Sequence, residues 1–89
     1  MVSKEMHELL EFPCQYQFKA VGSAGEGFNR SIVAAIDRHV SIPRDAIRTR
    51  PSSKGNYQAV SVLVTLHSYQ QLLAIYADIR KVPELKVLL

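Results

Sequence analysis

Residues Cys14, Tyr16, Phe18 and Ala20 are separated by Gln15, Gln17 and Lys19. This is the period-2 pattern of a strand with one buried face, predicted over Pro13 to Val21 and broken by Gly22. Ser23-Ala24-Gly25-Glu26 has the S-x-x-E spacing of a capping box. The helix it opens runs to about His39, with Phe28, Ile32, Ala35 and Ile36 forming a single apolar stripe. Ser41 and Pro43 close that helix. Asp45 to Arg50 is predicted as a short edge strand in which Ile47 and Thr49 face away from Arg48 and Arg50. Arg50-Pro51-Ser52-Ser53-Lys54-Gly55-Asn56-Tyr57 is a basic turn, because Pro fixes φ while Gly and Asn accept positive φ. It feeds a β-branched strand over Tyr57 to Leu66. Ser68 and Gln71 form a second capping pair for a helix to about Lys81, burying Leu72, Ile75, Tyr76 and Ile79. After Pro83, Leu85, Val87 and Leu89 alternate with Lys86 and Leu88 in a last strand. Ahead of these elements, Met6, Leu9 and Leu10 mark a short N-terminal helical turn or arm over Lys4 to Glu11.

Strand, helix, strand, strand, helix, strand is the order of the ferredoxin-like split βαβ fold, in the α+β class. Right-handed crossovers put both helices on one face of a four-stranded antiparallel sheet, with the first and third strands central. The opposite face is expected to carry Gln15, Gln17, Lys19, Arg48, Ser61, Leu63 and Thr65, with Lys86 and Leu88 at one edge.

The 89 residues suit one domain, 1–89, able to bury roughly 60–65% of its unfolded surface. Apolar runs such as Val62 to Val64 are far short of the roughly 20 residues needed to cross a bilayer. With one cysteine and no leader-like start, the expected compartment is the cytoplasm. The net charge of +3 is uneven. From Arg38 to Lys54, five cations stand against Asp45 alone, a balance of +4, and the rest of the chain carries −1. Such a patch suits an acidic partner or phosphate, but Lys and Arg also guard exposed strand edges.

Leu9-Leu10-Glu11-Phe12-Pro13-Cys14, the pair Arg38-His39, Pro51-Ser52-Ser53-Lys54-Gly55-Asn56-Tyr57 and the closing Val87-Leu88-Leu89 resemble the YbeD-like family of small bacterial proteins. The resemblance covers nearly the whole chain and departs at Ser41-Ile42-Pro43-Arg44-Asp45, where relatives often have a P-G-D-like turn. It implies a ferredoxin-like fold similar to the ACT domain, a module that binds small effectors in amino-acid-metabolising enzymes, and it implies no activity. By the same likeness, a small ligand is expected at the glycine-rich loop after the first strand, on Gly22, Ser23 and Gly25. That loop lacks the Lys of a phosphate-binding P-loop, and Glu26 would repel a phosphate.

Other chemistry is thin. His7, His39 and His67 are scattered over three elements with no second cysteine, so no metal, cofactor or nucleophile–base pair is expected. His39 is expected at the C-terminus of the first helix, complementing its dipole, and Cys14 as a small buried strand residue. The expectation is a non-enzymatic regulatory or interaction module that senses a small ligand in an ACT-like manner. The alternatives are docking of a protein partner on Arg48, Arg50, Lys54 and Tyr57, or weak RNA contact. Partner classes are a second copy paired through sheet edges, a protein, or a small metabolite. Nucleic acid is disfavoured because Tyr57 alone offers a ring to stack on, and a membrane is excluded.

Overall fold

The computed structural model describes residues 10–89, so the turn expected over Lys4 to Glu11 lies, up to residue 9, outside the described residues. Six elements follow: β1 (Cys14–Ser23), α1 (Glu26–Asp37), β2 (Ile47–Pro51), β3 (Tyr57–Leu66), α2 (Tyr69–Arg80) and β4 (Leu85–Leu88). The sheet order is β2-β3-β1-β4 and all neighbours are antiparallel. This is the ferredoxin-like architecture, with the long strands central. Among the described residues, no helix is long and apolar enough to cross a membrane.

The core lies between the sheet and the two helices. Phe18, Val60, Val62, Val64 and Leu66 point inward from β1 and β3, while the stripes Phe28, Ile32, Ala35, Ile36 and Leu72, Ile75, Tyr76, Ile79 close over them. Asn29 Nδ2 donates to Thr49 Oγ1 at 2.6 Å, tying α1 to the helix-facing side of β2. The two helices are clamped at His39. Its backbone oxygen accepts from Gln71 Nε2 at 2.7 Å, and its Nε2 lies 2.6 Å from Asp78 Oδ2. That hydrogen bond, with Lys81 and Arg38 farther out, holds the Asp78 carboxyl below its ordinary range. The His39 ring thus meets a carboxylate of α2, while its backbone N–H donates to Ile36 O at 3.0 Å at the end of its own helix. On the far side, Tyr16 and Tyr76 share a hydrogen bond of 2.7 Å, and burial followed by that bond pushes the Tyr76 phenol upward.

Several local expectations change. Gly22 does not break β1: the strand continues to Ser23, paired Gly22 with Gln58 and Ser23 with Tyr57. What needs a glycine there is α1, since an added Cβ would overlap the Phe28 ring. Ser23 consequently caps nothing. It is held in the ladder, Gly25 at φ 112° precedes the helix, and Glu26 pairs with Arg30 at 2.8 Å. The second box does form, displaced by one residue at its return arm. Ser68 Oγ accepts from Gln71 N at 3.1 Å, while Gln71 Oε1 accepts from His67 N at 2.8 Å. Asp45 belongs to a single 3-10 turn, Arg44–Ala46, so β2 starts at Ile47. Cys14 is half-buried at the start of β1.

The parity of β4 also differs. Ala20 pairs with Leu88 and Val21 with Val87, but Gly22 pairs with Leu85, so one extra residue is bulged out opposite Val21 and Gly22. Leu85 and Leu88 therefore both pack against the core, and Val87 is exposed on the other face.

Candidate functional site

With both helices on one side, the outer side of the sheet is covered by no described helix or strand and is bordered at one end by the 3-10 turn Arg44–Ala46, and its occupants follow from register. Lys19 pairs with Ser61, and Ser61 with Arg48. In the next outward-facing row, Val21 pairs with Ala59, and Ala59 with Arg50. Strands lie about 4.8 Å apart and outward residues about 7 Å apart along a strand. Lys19, Arg48 and Arg50 therefore line one shallow hollow of about 570 Å³ on this face. No carboxylate lines that hollow, and among the described residues none reaches these three cations within ion-pair distance. Asp45 lines a separate hollow with Gln15, Gln17 and Arg48.

Tyr57 stands at the end of the same face, 46% exposed and opposite Ser23. Exposed Leu63 and Val87 add aliphatic surface beside the charges. Of the four residues expected for partner docking, Arg48, Arg50 and Tyr57 thus share one face, whereas Lys54 is exposed in the turn beyond it. Lys19 joins them. Its alternation with Phe18 and Ala20 puts it on the outer side with Gln17, but only register brings it level with Arg48.

Gly22 and Ser23, the last residues of β1, and Gly25 in the connection to α1 adjoin this face through the Ser23–Tyr57 pair. Their polar groups are largely engaged internally. Ser23 N donates to Glu84 O at 3.3 Å and Ala24 N to Asn56 O at 3.1 Å. The carbonyls of Ser23 and Gly25 both accept from Nε2 of Gln58, a buried amide on the inner side of β3. Gln58 is a structural residue that strand periodicity could not single out, because a polar residue at an inward position has a meaning only once its loop partner is known.

A family model described as "Protein of unknown function (DUF493)" matches residues 7–89. The chain belongs to this family. Among its relatives, a UPF0250 protein of Shewanella loihica is 39% identical over 87 residues, covering 97% of both chains. One from Pseudomonas aeruginosa is 42% identical over 73 residues, covering 80% of this chain and 78% of the relative. The YbeD-like resemblance is thereby borne out. Solved structures are similar in fold at low identity. The ACT domain from GTP pyrophosphokinase of Chlorobium tepidum, in solution, has a TM-score of 0.67 at 16% identity, covering 85% of this chain and 83% of that one. Protein HP0495 from H. pylori reaches 0.69 at 8%, covering 90% and 85%. The DUF493 chain is ACT-like in fold.

Proposed function

We propose that this domain is a non-catalytic interaction module that docks an acidic segment of a partner protein on the open face of its sheet. The observation that carries this is the hollow that Lys19 of β1 shares with Arg48 and Arg50 of β2 across the intervening β3, with no carboxylate along it. Opposed charge of this kind steers encounter and sets register. Each exposed pair contributes only about 0.2–1 kcal/mol, so the aliphatic neighbours Val21, Leu63 and Val87 supply the remaining contact. A protein fits better than nucleic acid. Tyr57 sits at the rim, and the central positions Ala59, Ser61 and Leu63 offer bases no ring to stack on. The likeness to an ACT domain of a GTP pyrophosphokinase supports an accessory role by analogy of fold. The lone thiol, Cys14, suits a reducing compartment, and we place the module in the cytoplasm.

The test uses the full chain as bait in cell extract, with captured proteins identified by mass spectrometry, purified and titrated back. Arg48→Glu and Lys19→Glu should weaken binding while leaving the melt unchanged, and the difference should shrink as salt rises. A purified partner that binds wild type and both variants equally at low salt would refute docking on this face.

A further inference from the structure

Where the open face meets the β2–β3 turn lies a third, open hollow of about 460 Å³, a volume comparable to that of small-molecule sites. Its floor is Val21 and Ala59, and its walls include Arg50, Ser52, Ser53 and Tyr57. The side chain of Gln58 is turned to the other side of the sheet, so every polar side chain presented to the hollow is a hydrogen-bond donor, and no carboxylate lines it.

The turn holds this wall in place without a ligand. Ser52 N donates to Tyr57 O at 2.9 Å, Gly55 N to Ser52 O at 3.0 Å, and Tyr57 N to Ser52 Oγ at 3.2 Å. Gly55, at φ 74°, occupies the one left-handed position that this closure needs. Because Ser52 Oγ already accepts from Tyr57 N, its own proton is left to donate. Among the described residues, neither the Arg50 guanidinium nor the Tyr57 hydroxyl has a side-chain partner.

We infer that this hollow binds an organic oxyanion, a phosphate monoester or carboxylate whose apolar body rests on Val21 and Ala59 beside the Tyr57 ring. Arg50 supplies the planar fork that matches two oxygens of such a head group, and the seryl and tyrosyl hydroxyls satisfy the remaining lone pairs. Arg48 and Lys19, one row away, raise the local potential for an anion. The ligand requires Arg50, which also belongs to the docking hollow, so it competes with the acidic partner proposed above. Its binding does not depend on that partner, and the two ideas fail separately.

The experiment titrates isotope-labelled full-length protein, alone, with phenyl phosphate, phenylacetate, inorganic phosphate and uncharged benzyl alcohol, following backbone amide shifts. The expected result is saturable movement of the amides of residues 52–57, Val21 and Ala59 with phenyl phosphate, phenylacetate or both, and none with benzyl alcohol. Comparing the two aromatic anions shows which head group is preferred. Inorganic phosphate should bind more weakly than phenyl phosphate, because it cannot use the floor. Arg50→Gln should raise the Kd about tenfold or more, while Arg44→Gln, an exposed cation outside the hollow, should leave it unchanged. No saturable shift with either aromatic anion would overturn the inference. Equal losses in Arg50→Gln and Arg44→Gln would also overturn it, by showing general charge attraction in place of a site.

Discussion

Replacing Gly22 by alanine tests how closely α1 is seated on the sheet. Gly22 is buried in β1, and a Cβ built on it would lie 2.6 Å from Phe28 Cδ1 and nearer still to Cε1 and Cζ. Phe28 is only 2% exposed and cannot swing outward. Either the ring leaves its rotamer or α1 lifts from the sheet, and overpacking of this kind costs about 1–3 kcal/mol. In a domain this small, each kcal/mol lowers the Tm by roughly 4–8 °C. Gly27→Ala is the control. A Cβ there meets nothing within 4 Å, and an alanine inside the first turn of α1 should gain about 0.5–1 kcal/mol. The decisive measurement is a thermal double-mutant cycle with Phe28→Leu, which shortens the obstructing ring. Gly22→Ala should cost less in the Phe28→Leu background than in wild type, giving a coupling of about 0.5–3 kcal/mol. Strictly additive losses, or a Gly22→Ala melt matching wild type, would refute the contact.

Gln58→Ala removes the donor shared by the Ser23 and Gly25 carbonyls and should cost about 1–3 kcal/mol by denaturant titration; a loss no larger than that of exposed Gln17→Ala would discredit this role. The Asp78 carboxyl is held below its ordinary value of 3.8, so its contribution to stability is present above that value and lost as pH falls through the lowered one. Asp78→Asn should therefore melt below wild type at neutral pH, with the gap closing in strong acid, and a gap independent of pH would contradict the His39 pairing. Lys54 lies beyond the sheet face, so Lys54→Glu should change stability by no more than about 0.5 kcal/mol and weaken partner binding less than Arg48→Glu does, as read by calorimetry at low salt.

Both helices were legible because each carries one uninterrupted stripe, Phe28 to Ile36 and Leu72 to Ile79, and the burial matches those stripes residue for residue. Tyr57 to Leu66 was equally clear, since its alternation runs over ten residues. The failures are non-local. Ser23 and Glu26 have the spacing of a cap, but Ser23 is recruited into the ladder with Tyr57, and no local pattern shows that competition. Simple alternation puts Leu88 on the outer face, whereas a bulge shifts parity by one and turns it to the core, and that bulge depends on how β4 meets β1. The site shows the same division. Arg48 and Arg50 stand out as an outward-facing pair in the sequence, whereas Lys19 becomes their neighbour only through two inter-strand registers.

Tyr57 and Gln58 are consecutive residues at the start of β3, and they project to opposite sides of the sheet. The phenol borders the oxyanion hollow, while the amide grips the carbonyls of Ser23 and Gly25 just ahead of α1. Because the side-chain period of a strand is two, a slip of one residue in the pairing of β3 would exchange the two roles, turning the amide out to the exposed face and the phenol in toward the helices. The register that builds the outer face is therefore the same one that seats the start of α1.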